Sequence, residues 1–231
     1  MSDSCGFHWQ GEELQLLGGR AAFDPRRGVL LLADVHLGKA ETLQAHGVAL
    51  PSDGDAGNVN RLLELAHRLR PRRVLVLGDL IHSRLGLTAE LRAKLAALPD
   101  LLDCPLELVG GNHERGSWIA GLPQLPSQEL GPWWLSHAPE PRPGRLNICG
   151  HLHPVALVGR GAERLRLPCF SYDPQLQRLA LPAFGDLTGG HPINPQHQCW
   201  LVAGDSVVAW RAGASEPFRR RRPGHAPRRR G

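Results

Sequence analysis

The sequence predicts an α/β fold, and two patterns among its 231 residues carry that prediction. Short, continuous Val/Leu runs are bounded by glycine or proline, which is typical of strands buried on both faces of a sheet. Between some of these runs lie segments whose apolar residues recur at helical spacing. A hydrophobic content of 42% is sufficient for a large core.

Five segments share a further pattern, in which an apolar run breaks into a short polar cluster. They are residues 28–39, 72–84, 105–116, 131–141 and 145–155. Each cluster comes directly after its predicted strand, and open α/β sheets place their sites at the carboxyl ends of strands. We therefore predict that the five strands belong to one sheet and that their clusters form one site at its edge.

Two helices are predicted between the strands. Residues 58–71 have apolar side chains at helical spacing and stop at Pro71. Residues 88–100 begin with Thr88, a good N-cap, and repeat leucine along one face up to Pro99. Both segments therefore read as amphipathic helices that pack against a sheet.

The pattern changes after residue 155. Short strand-like pieces follow at 165–173, 177–185 and 198–210, with turn residues between them. This part of the chain predicts a second sheet completed by antiparallel strands.

The positive charge of the chain is concentrated at its C-terminus. Residues 214–231 contain seven arginines and one acid, so this segment carries +6 and the rest of the chain carries −1 of the net +5. A like-charge run with proline and glycine but no apolar periodicity predicts a disordered arm after a single domain at 1–213. Such an arm would bind polyanions such as DNA. The alternative is a solvated terminus of an arginine-rich protein.

The composition also bears on the compartment. The longest apolar runs have the length of strands and fall far short of the roughly 20 residues that span a bilayer. The N-terminus lacks the basic start and apolar stretch of a signal peptide. The five cysteines are widely spaced without a C-x-x-C pair, which predicts reduced, mostly buried thiols. We therefore expect a cytoplasmic protein with no membrane partner.

The polar clusters have the composition of a metal site. Their candidate residues are Asp34, His36, Asp79, His82, Asn112, His113, His137, His151 and His153. Carboxylate, imidazole and amide oxygen together suit Mn²⁺, Fe²⁺ or Zn²⁺, and the clusters contain no thiolate. One such histidine alone would more often be a capped turn or a core residue, whereas five ordered clusters favour a metal site.

These clusters also form the motifs of a known superfamily. D-x-H at 34–36, GD at 78–79, GNHE at 111–114, His137 and GHLH at 150–153 occur in the order found in the calcineurin-like metallophosphoesterases. The resemblance covers about half of the chain. It implies a metallophosphoesterase fold, a two-sheet β-sandwich flanked by helices (αββα).

Two longer stretches narrow the resemblance. The segment "ADVHLGKAETLQAHGVALP" and the later "LPAFGDLTGG" are similar to the ligase-associated DNA damage response endonucleases of the PdeM type. This extends the resemblance to residues 28–205. It implies a DNA endonuclease that acts in DNA repair together with a DNA ligase, an exonuclease-like protein and a helicase.

The superfamily resemblance implies a site for two divalent metal ions, with Mn²⁺ preferred and Fe²⁺ or Zn²⁺ as alternatives. By motif, one ion is held by Asp34, His36 and His153, the other by Asn112, His137 and His151, and Asp79 bridges them. A hydroxide shared by the two ions would attack the phosphorus. Two divalent ions, two carboxylates and one hydroxide leave a charge of +1, which suits one phosphodiester anion.

Histidines beside the ligands carry the remaining chemistry. The resemblance implies that His113 contacts the phosphoryl group or protonates the leaving oxygen, and the alternative is a hydrogen bond that supports a ligand. His82 lies in a GDxxH run like that of the recombination nucleases of the SbcD type, which favours a nuclease over a protein phosphatase. Glu114 departs from the aspartate of the nuclease motif. Lys39 and Arg84, just past two clusters, are candidates for binding substrate phosphates.

The spacing of His151 and His153 predicts how their side chains are placed. In an extended segment, residues two apart point to the same side, at a separation of roughly 6 to 7 Å. That spacing is too wide for one ion and suits two, so we predict that the pair straddles a two-metal centre.

Three functions remain open from the sequence. The first is a dinuclear phosphodiesterase, with a DNA endonuclease as its specific form. The second is a phosphomonoesterase or a phosphodiesterase for cyclic nucleotides or small diesters. The third is a nucleic-acid-binding module in which the metal is structural, and the complete set of ligand positions argues against it.

Overall fold

A computed structural model describes residues 3–51, 54–114, 122, 124–159 and 161–211 of the chain. It contains two β-sheets and three α-helices within these residues. The mixed α/β fold with two sheets confirms the fold class predicted from the sequence. The arginine-rich segment 214–231 lies outside the described residues, so the predicted arm and the domain boundary before it stay predictions.

The first sheet has seven strands in sequence order. They are β1 Ser4–Trp9, β2 Glu12–Leu17, β3 Ala22–Asp24, β4 Val29–Leu32, β5 Arg73–Leu77, β6 Leu106–Val109 and β7 Gln124–Leu125. The strands β1 to β4 pair antiparallel, whereas β4 to β7 pair in parallel. The carboxyl ends of β4, β5 and β6 therefore meet at one edge.

The second sheet is mixed. Its strands are β8 Gln128–Leu130, β9 Trp133–Ser136, β10 Leu146–Cys149, β11 Pro154–Val158, β12 Leu165–Asp173, β13 Arg178–Ala180, β14 His191–Pro192, β15 Gln198–Ala203 and β16 Ser206–Trp210. Their order is β14-β11-β12-β13-β10-β9-β8, with the β15–β16 hairpin joined to β12. The long strand β12 and the hairpin confirm the predicted antiparallel completion of a second sheet.

The five strands that precede the polar clusters are all present, but the prediction that they belong to one sheet is wrong. The strands β4, β5 and β6 lie in the first sheet, whereas β9 and β10 pair in parallel with each other in the second. Strand pairing is not local, so an apolar run does not reveal which strand it joins. The site is therefore built where edges of two sheets meet.

The helices are α1 Lys39–Ala45, α2 Gly54–Leu69 and α3 Ala89–Leu102, with a 3₁₀ turn at Gly161–Glu163. The helix α2 starts four residues earlier than predicted, because the apolar side chains at helical spacing begin only after its first turn. The helix α3 begins at its Thr88 cap as predicted, and it runs through Pro99 to Leu102, two residues past the predicted end at residue 100. Buried Leu98 and Leu102 favour the last turn despite the missing N–H of the proline. The short helix α1 was not predicted.

Two apolar layers hold the sheets and helices together. Between the sheets, residues of β2, β4 and β5 pack against Trp133, Ile148 and Phe170 of the second sheet. On the other face of the first sheet, leucines of α2 and α3 cover β4, β5 and β6. The strand β4 is consequently buried at every position, which explains its uninterrupted apolar run.

The thiols agree with the sequence reading. Four of the five cysteines are buried, Cys5 is partly buried, and all are free. None of the helices among the described residues is long and apolar enough to span a membrane.

Candidate metal centre

The predicted ligands lie in short loops at strand ends, and their backbone is unusual. Five of the ten non-glycine residues with positive φ in the described chain are candidate ligands: Asp34 (56°), His36 (52°), Asp79 (52°), His151 (64°) and His153 (42°). Such conformations cost on the order of 1–3 kcal/mol each and accumulate at functional sites. The surrounding hydrogen bonds therefore hold these loops in place, as when Asp34 N donates to Gly78 O at 3.1 Å.

The left-handed backbone corrects the reading of the GHLH motif. His151 and His153 were expected to share one side of an extended segment, but both lie in the turn between β10 and β11 with positive φ. The two side chains nevertheless separate into different groups of potential ligands, His153 with Asp34 and His151 with Asp79. The turn, rather than the alternation of a strand, directs them apart.

Asp34, His36 and His153 form the first group, with potential ligand atoms all within 4.8 Å of one another. His153 Nε2 lies 3.2 Å from Asp34 Oδ1. The Nε2 atoms of His36 and His153 are buried, and within the described residues neither makes a hydrogen bond, the short distance between His153 and Asp34 being an ion-pair contact only. A buried polar atom without a partner is costly, and a cation would satisfy both nitrogens. These residues therefore fit a metal ion.

Asp79, His137 and His151 form the second group, with Asn112 beside them. His137 Nε2 lies 3.5 Å from Asp79 Oδ2 and 3.2 Å from His151 Nδ1, and Asn112 Nδ2 lies 3.1 Å from the same His151 atom. Rotation of the amide places the Asn112 oxygen at that position instead. Separations of about 3 Å are those of neighbouring ligands on one cation when each lies about 2.1 Å from it.

A backbone carbonyl sets the tautomer of His137. His137 Nδ1 lies 3.0 Å from Leu77 O, and a carbonyl only accepts, so Nδ1 carries the proton. The lone pair is then on Nε2, which faces Asp79 and His151. Histidines that bind metals are commonly oriented through the second nitrogen in this way.

Asp79 faces both groups. Its Oδ2 atom lies 3.5 Å from His137 Nε2 in the second group and 3.9 Å from His36 Nε2 in the first. Its Oδ1 atom accepts a hydrogen bond from His113 N at 3.0 Å. A buried carboxylate between two ligand sets is the arrangement needed to bridge two cations.

Three motif glycines leave space for the ligands. A Cβ at Gly150 would lie 2.7 Å from Asp34 Oδ2, one at Gly111 would lie 2.3 Å from Asp79 Oδ1, and one at Gly78 would lie 2.2 Å from His137 Nδ1. Each of these side chains would be pushed aside by an added methyl group. The glycines of the GD, GNH and GHxH motifs therefore allow the candidate ligand side chains to lie close to the backbone of neighbouring loops.

Glu114 anchors two of the loops. Its Oε2 accepts from Asp79 N at 3.1 Å and Gly111 N at 2.9 Å, and its Oε1 accepts from Ile81 N at 3.2 Å. Burial raises the pKa of Glu114, with backbone N–H groups acting in the opposite direction. The residue that departs from the nuclease motif thus binds the backbone of the β5 and β6 loops.

His82 and His113 lie on the His36 side of the site. Their rings stack with centroids 5.1 Å apart, and His113 Nδ1 lies 2.5 Å from His82 O. His82 Nδ1 lies 3.3 Å from His36 Nδ1. Burial lowers the pKa of His36 to about 2 and that of His82 to about 4, with nearby cations adding to both shifts. Both imidazoles are therefore neutral near pH 7.

Lys39 also lies on this side. Its positive charge contributes to the lowered pKa values of His36 and His82. Burial lowers the pKa of Lys39 itself. Arg84 follows His82 by two residues and is exposed. The structure thus places Lys39, partly buried, at the start of α1 three residues after the candidate ligand His36, and leaves Arg84 at the surface.

One segment at the site was noted in the sequence only as part of a family resemblance. Phe184 N donates to Ala33 O at 2.9 Å and Gly185 N donates to Asp34 O at 3.1 Å. Residues 184–186 therefore lie along the loop that carries Asp34. The glycine-containing "AFGD" stretch could have been singled out in the sequence, but nothing local shows what it contacts.

The chain was compared with known proteins. The calcineurin-like phosphoesterase family model matches residues 28–152, more than half of the chain. Among solved structures, the chain is similar to the Pseudomonas putida nuclease MPE, with 30% identity and a TM-score of 0.76 over 90% of this chain and 100% of that one. It also aligns with YfcE, a phosphoesterase from E. coli, at 16% identity and a TM-score of 0.43, covering 78% of this chain and 96% of that one. No curated protein matches it. This chain belongs to the calcineurin-like phosphoesterase family and is a metal-dependent phosphoesterase.

Proposed function

We propose that this protein is a dinuclear phosphodiesterase that cleaves DNA as an endonuclease. The observation that carries the proposal is that the motif residues supply two groups of potential ligands, and that the Asp79 carboxylate, a member of one group, lies 3.9 Å from His36 of the other. The similarity to a nuclease over nearly the whole chain supports a nucleic acid as the substrate. A cavity of about 440 Å³ beside Asn112 and His137 leaves room for one part of a substrate.

Seven residues would hold the two ions. Asp34, His36 and His153 would bind the first, Asn112, His137 and His151 the second, and Asp79 both. Mixed nitrogen and oxygen ligands favour Mn²⁺, with Fe²⁺ or Zn²⁺ as alternatives. When bound, two such cations lower the pKa of an attacking water and polarise the phosphoryl oxygens.

The tautomer of His82 follows from its contact with His36. If His36 Nε2 binds a cation, the His36 proton lies on Nδ1, which faces His82 Nδ1 at 3.3 Å. His82 then accepts through Nδ1 and carries its own proton on Nε2. A neutral His82 would thus donate a hydrogen bond to a phosphoryl oxygen without taking part in proton transfer.

His113 has the complementary arrangement. Because its Nδ1 donates to His82 O, the other ring nitrogen, Nε2, is available on the side of Asp79, 3.8 Å from Oδ2. A protonated His113 would release the Nε2 proton to the leaving oxygen. Lys39 would bind the phosphate of the substrate, with Arg84 contacting the DNA strand farther out.

Comparative hydrolysis with Mn²⁺ tests this function. We expect the purified protein to hydrolyse bis-p-nitrophenyl phosphate much faster than p-nitrophenyl phosphate and to nick circular plasmid DNA. The Asp79→Ala variant should lose both activities and part of its bound metal, whereas Asp205→Ala, in an exposed turn, should retain them. Activity on the monoester alone would favour a phosphomonoesterase.

Hydrolysis of the diester without nicking of the plasmid would favour a phosphodiesterase for small diesters or cyclic nucleotides. DNA binding with no hydrolysis of any substrate would favour a structural metal site.

A role in DNA repair completes the proposal. The protein would act in the cytoplasm beside a DNA ligase, an exonuclease-like protein and a helicase. The similarity in sequence to the ligase-associated endonucleases supports this role. Co-purification of the tagged protein with a ligase after DNA damage is the expected result, and no enrichment over an untagged control would contradict it.

A further inference from the structure

The helix α2 carries a row of polar side chains, Asp55, Asn58 and Arg61, which we call the α2 stripe. The three residues are spaced by three along the helix, so they lie on one side of it. Asp55 is 7% exposed and Asn58 is 3% exposed. Buried polar side chains need hydrogen-bond partners, and the partners of the α2 stripe lie in two loops beside the site.

Asp55 holds the turn after His36. Its Oδ2 atom accepts a hydrogen bond from Gly38 N at 2.6 Å. Gly38 has a φ of 76°, and a Cβ there would lie 2.5 Å from Gly86 O, so only glycine fits this turn. Because glycine has no side chain to anchor it, the hydrogen bond that Gly38 N donates to Asp55 helps to fix the turn. That turn joins the candidate ligand His36 to Lys39.

Asn58 and Arg61 hold residues 184–186. Asn58 Oδ1 accepts from Asp186 N at 3.2 Å and from Arg61 Nη2 at 2.9 Å. Arg61 also donates to Phe184 O and pairs with the Asp186 carboxylate at 3.2 Å. Its guanidinium carbon lies 4.5 Å from the centroid of the Phe184 ring. Four contacts from Asn58 and Arg61, one turn apart on the helix, thus converge on Phe184 and Asp186.

The held segment in turn contacts the Asp34 loop. Phe184 N and Gly185 N donate to the carbonyls of Ala33 and Asp34. The α2 stripe therefore reaches Asp34 through residues 184–186 and His36 through Gly38. In the part of the chain that the structure describes, none of its hydrogen bonds goes to the Asn112, His137 and His151 side.

We propose that the α2 stripe is a positioning device for one half of the site, the half formed by Asp34, His36 and His153. The proposal rests on the two-ion function proposed above. Residues that orient metal ligands through hydrogen bonds typically change metal affinity by about 10- to 100-fold when they are replaced. Loss of the α2 stripe should therefore weaken the binding of one ion and leave the other in place.

Calorimetric titration of metal-free protein with Mn²⁺ tests this at Asn58. We expect the wild type to bind two ions and Asn58→Leu to bind one of them at least about 10-fold more weakly. Asn58→Asp keeps an oxygen for Arg61 and Asp186 N, and it should restore most of the affinity. Arg68→Met, also on α2, is the matched control: it breaks only an exposed pair with Asp3 near the N-terminus, and the variant should bind both ions normally.

Double variants identify which ion is weakened. Asn58→Leu should add little to His153→Ala, because both changes affect the same ion, whereas combined with His151→Ala it should weaken both ions. If Asn58→Leu does not fold, as judged by circular dichroism, Asp55→Ala replaces it, with Asp55→Asn as the variant that keeps the acceptor oxygen.

The outcomes separate the two proposals. A wild type that binds a single ion overturns the two-ion function, and the role of the α2 stripe falls with it. A wild type that binds two ions, together with unchanged affinities in Asn58→Leu or Asp55→Ala, overturns only the positioning role. An equal loss of both ions would show that the α2 stripe supports the whole fold, which also overturns it. Selective loss of the ion shared with His153, with rescue by the conservative variants, supports it.

Discussion

At the residue scale, the site depends on side chains that are not candidate ligands themselves but bind the backbone of the loops that carry the ligands. Glu114 is 3% exposed and accepts hydrogen bonds from three backbone N–H groups, two in the β5 loop and one in the β6 loop. A carboxylate can accept through both oxygens, which an amide cannot do. The acid at this position therefore matches its three donors.

We expect Glu114→Gln to destabilise the protein by about 1–3 kcal/mol, because the new NH₂ group must face a backbone N–H. The free energy of unfolding in urea measures the loss. Glu90→Gln, at an exposed position on α3, is the control and should unfold like the wild type. An unchanged midpoint for Glu114→Gln would show that the three hydrogen bonds contribute little.

The neutral histidines predict how the stability of the metal-free protein depends on pH. Burial lowers the pKa of His36 to about 2 and that of His82 to about 4, from an ordinary value of 6.5. Below pH 6.5 the unfolded chain therefore binds protons that the folded chain does not, and stability falls as pH falls toward these lowered values. The melting temperature in EDTA should drop between pH 7 and pH 5.

The variant His82→Gln isolates one contribution to that drop. It should show a shallower fall in melting temperature, whereas His67→Gln, at an exposed position of α2, should follow the wild type. A His82→Gln curve parallel to that of the wild type would contradict the assignment.

At the element scale, strand ends and helix caps decide where the loops of the site begin. The loops after β4, β5, β6, β9 and β10 converge although these strands come from two sheets. The helix α3 separates β5 from β6 in the chain and starts at Thr88, whose Oγ1 accepts from Leu91 N at 3.1 Å. Its leucines cover the outer face of the first sheet. The cap thus helps to fix the start of the helix that connects the Asp79 cluster to β6 and the Asn112 cluster.

Thr88→Ala should reduce stability by about 1 kcal/mol through loss of the cap, and the hydrolysis of a small diester should stay unchanged. For a protein of this size the melting temperature should fall by roughly 2–4 °C. Thr88→Ser retains a hydroxyl and should melt close to the wild type. A loss of activity in Thr88→Ala without a change in melting would contradict a purely structural role.

At the scale of the whole molecule, charge and catalysis are separated along the chain. Seven arginines lie in residues 214–231, outside the described residues, and the remainder of the chain has a charge of −1. The candidate metal centre lies between residues 34 and 153. Affinity for DNA and hydrolysis should therefore be separable by variants.

Deletion of residues 214–231 should weaken DNA binding and flatten its dependence on salt, because each phosphate contact contributes about 0.9 to the slope of log K against log salt. Hydrolysis of bis-p-nitrophenyl phosphate should be unaffected. Replacing the seven arginines with lysine should retain the slope, and replacing them with glutamine should reproduce the deletion. If the deletion variant keeps the slope of log K against log salt of the wild type, the arginines of this segment do not contact DNA phosphates and are only solvated.

The sequence predicted much of the fold and of the candidate site because their signals are local. Apolar runs predicted β4, β5, β6, β9 and β10, and the cap and leucine spacing predicted the start of α3. The short helix α1 was missed since it is only seven residues long and begins after a glycine without a side-chain cap. The extended reading of His151 and His153 failed because positive φ is disfavoured locally and is imposed here by contacts from elsewhere.

By itself, the sequence determined the chemistry of the site: which carboxylates, imidazoles and amide are available, in what order, and next to which glycines. Only the tertiary structure decided that the clusters come from two sheets, that left-handed turns direct His151 and His153 into different groups, and that Asp55, Asn58 and Arg61 reach the Asp34 half. The reason is physical. Residue type and spacing are local properties, whereas strand pairing and buried side-chain to backbone hydrogen bonds join segments more than a hundred residues apart, as Asn58 and Asp186 show.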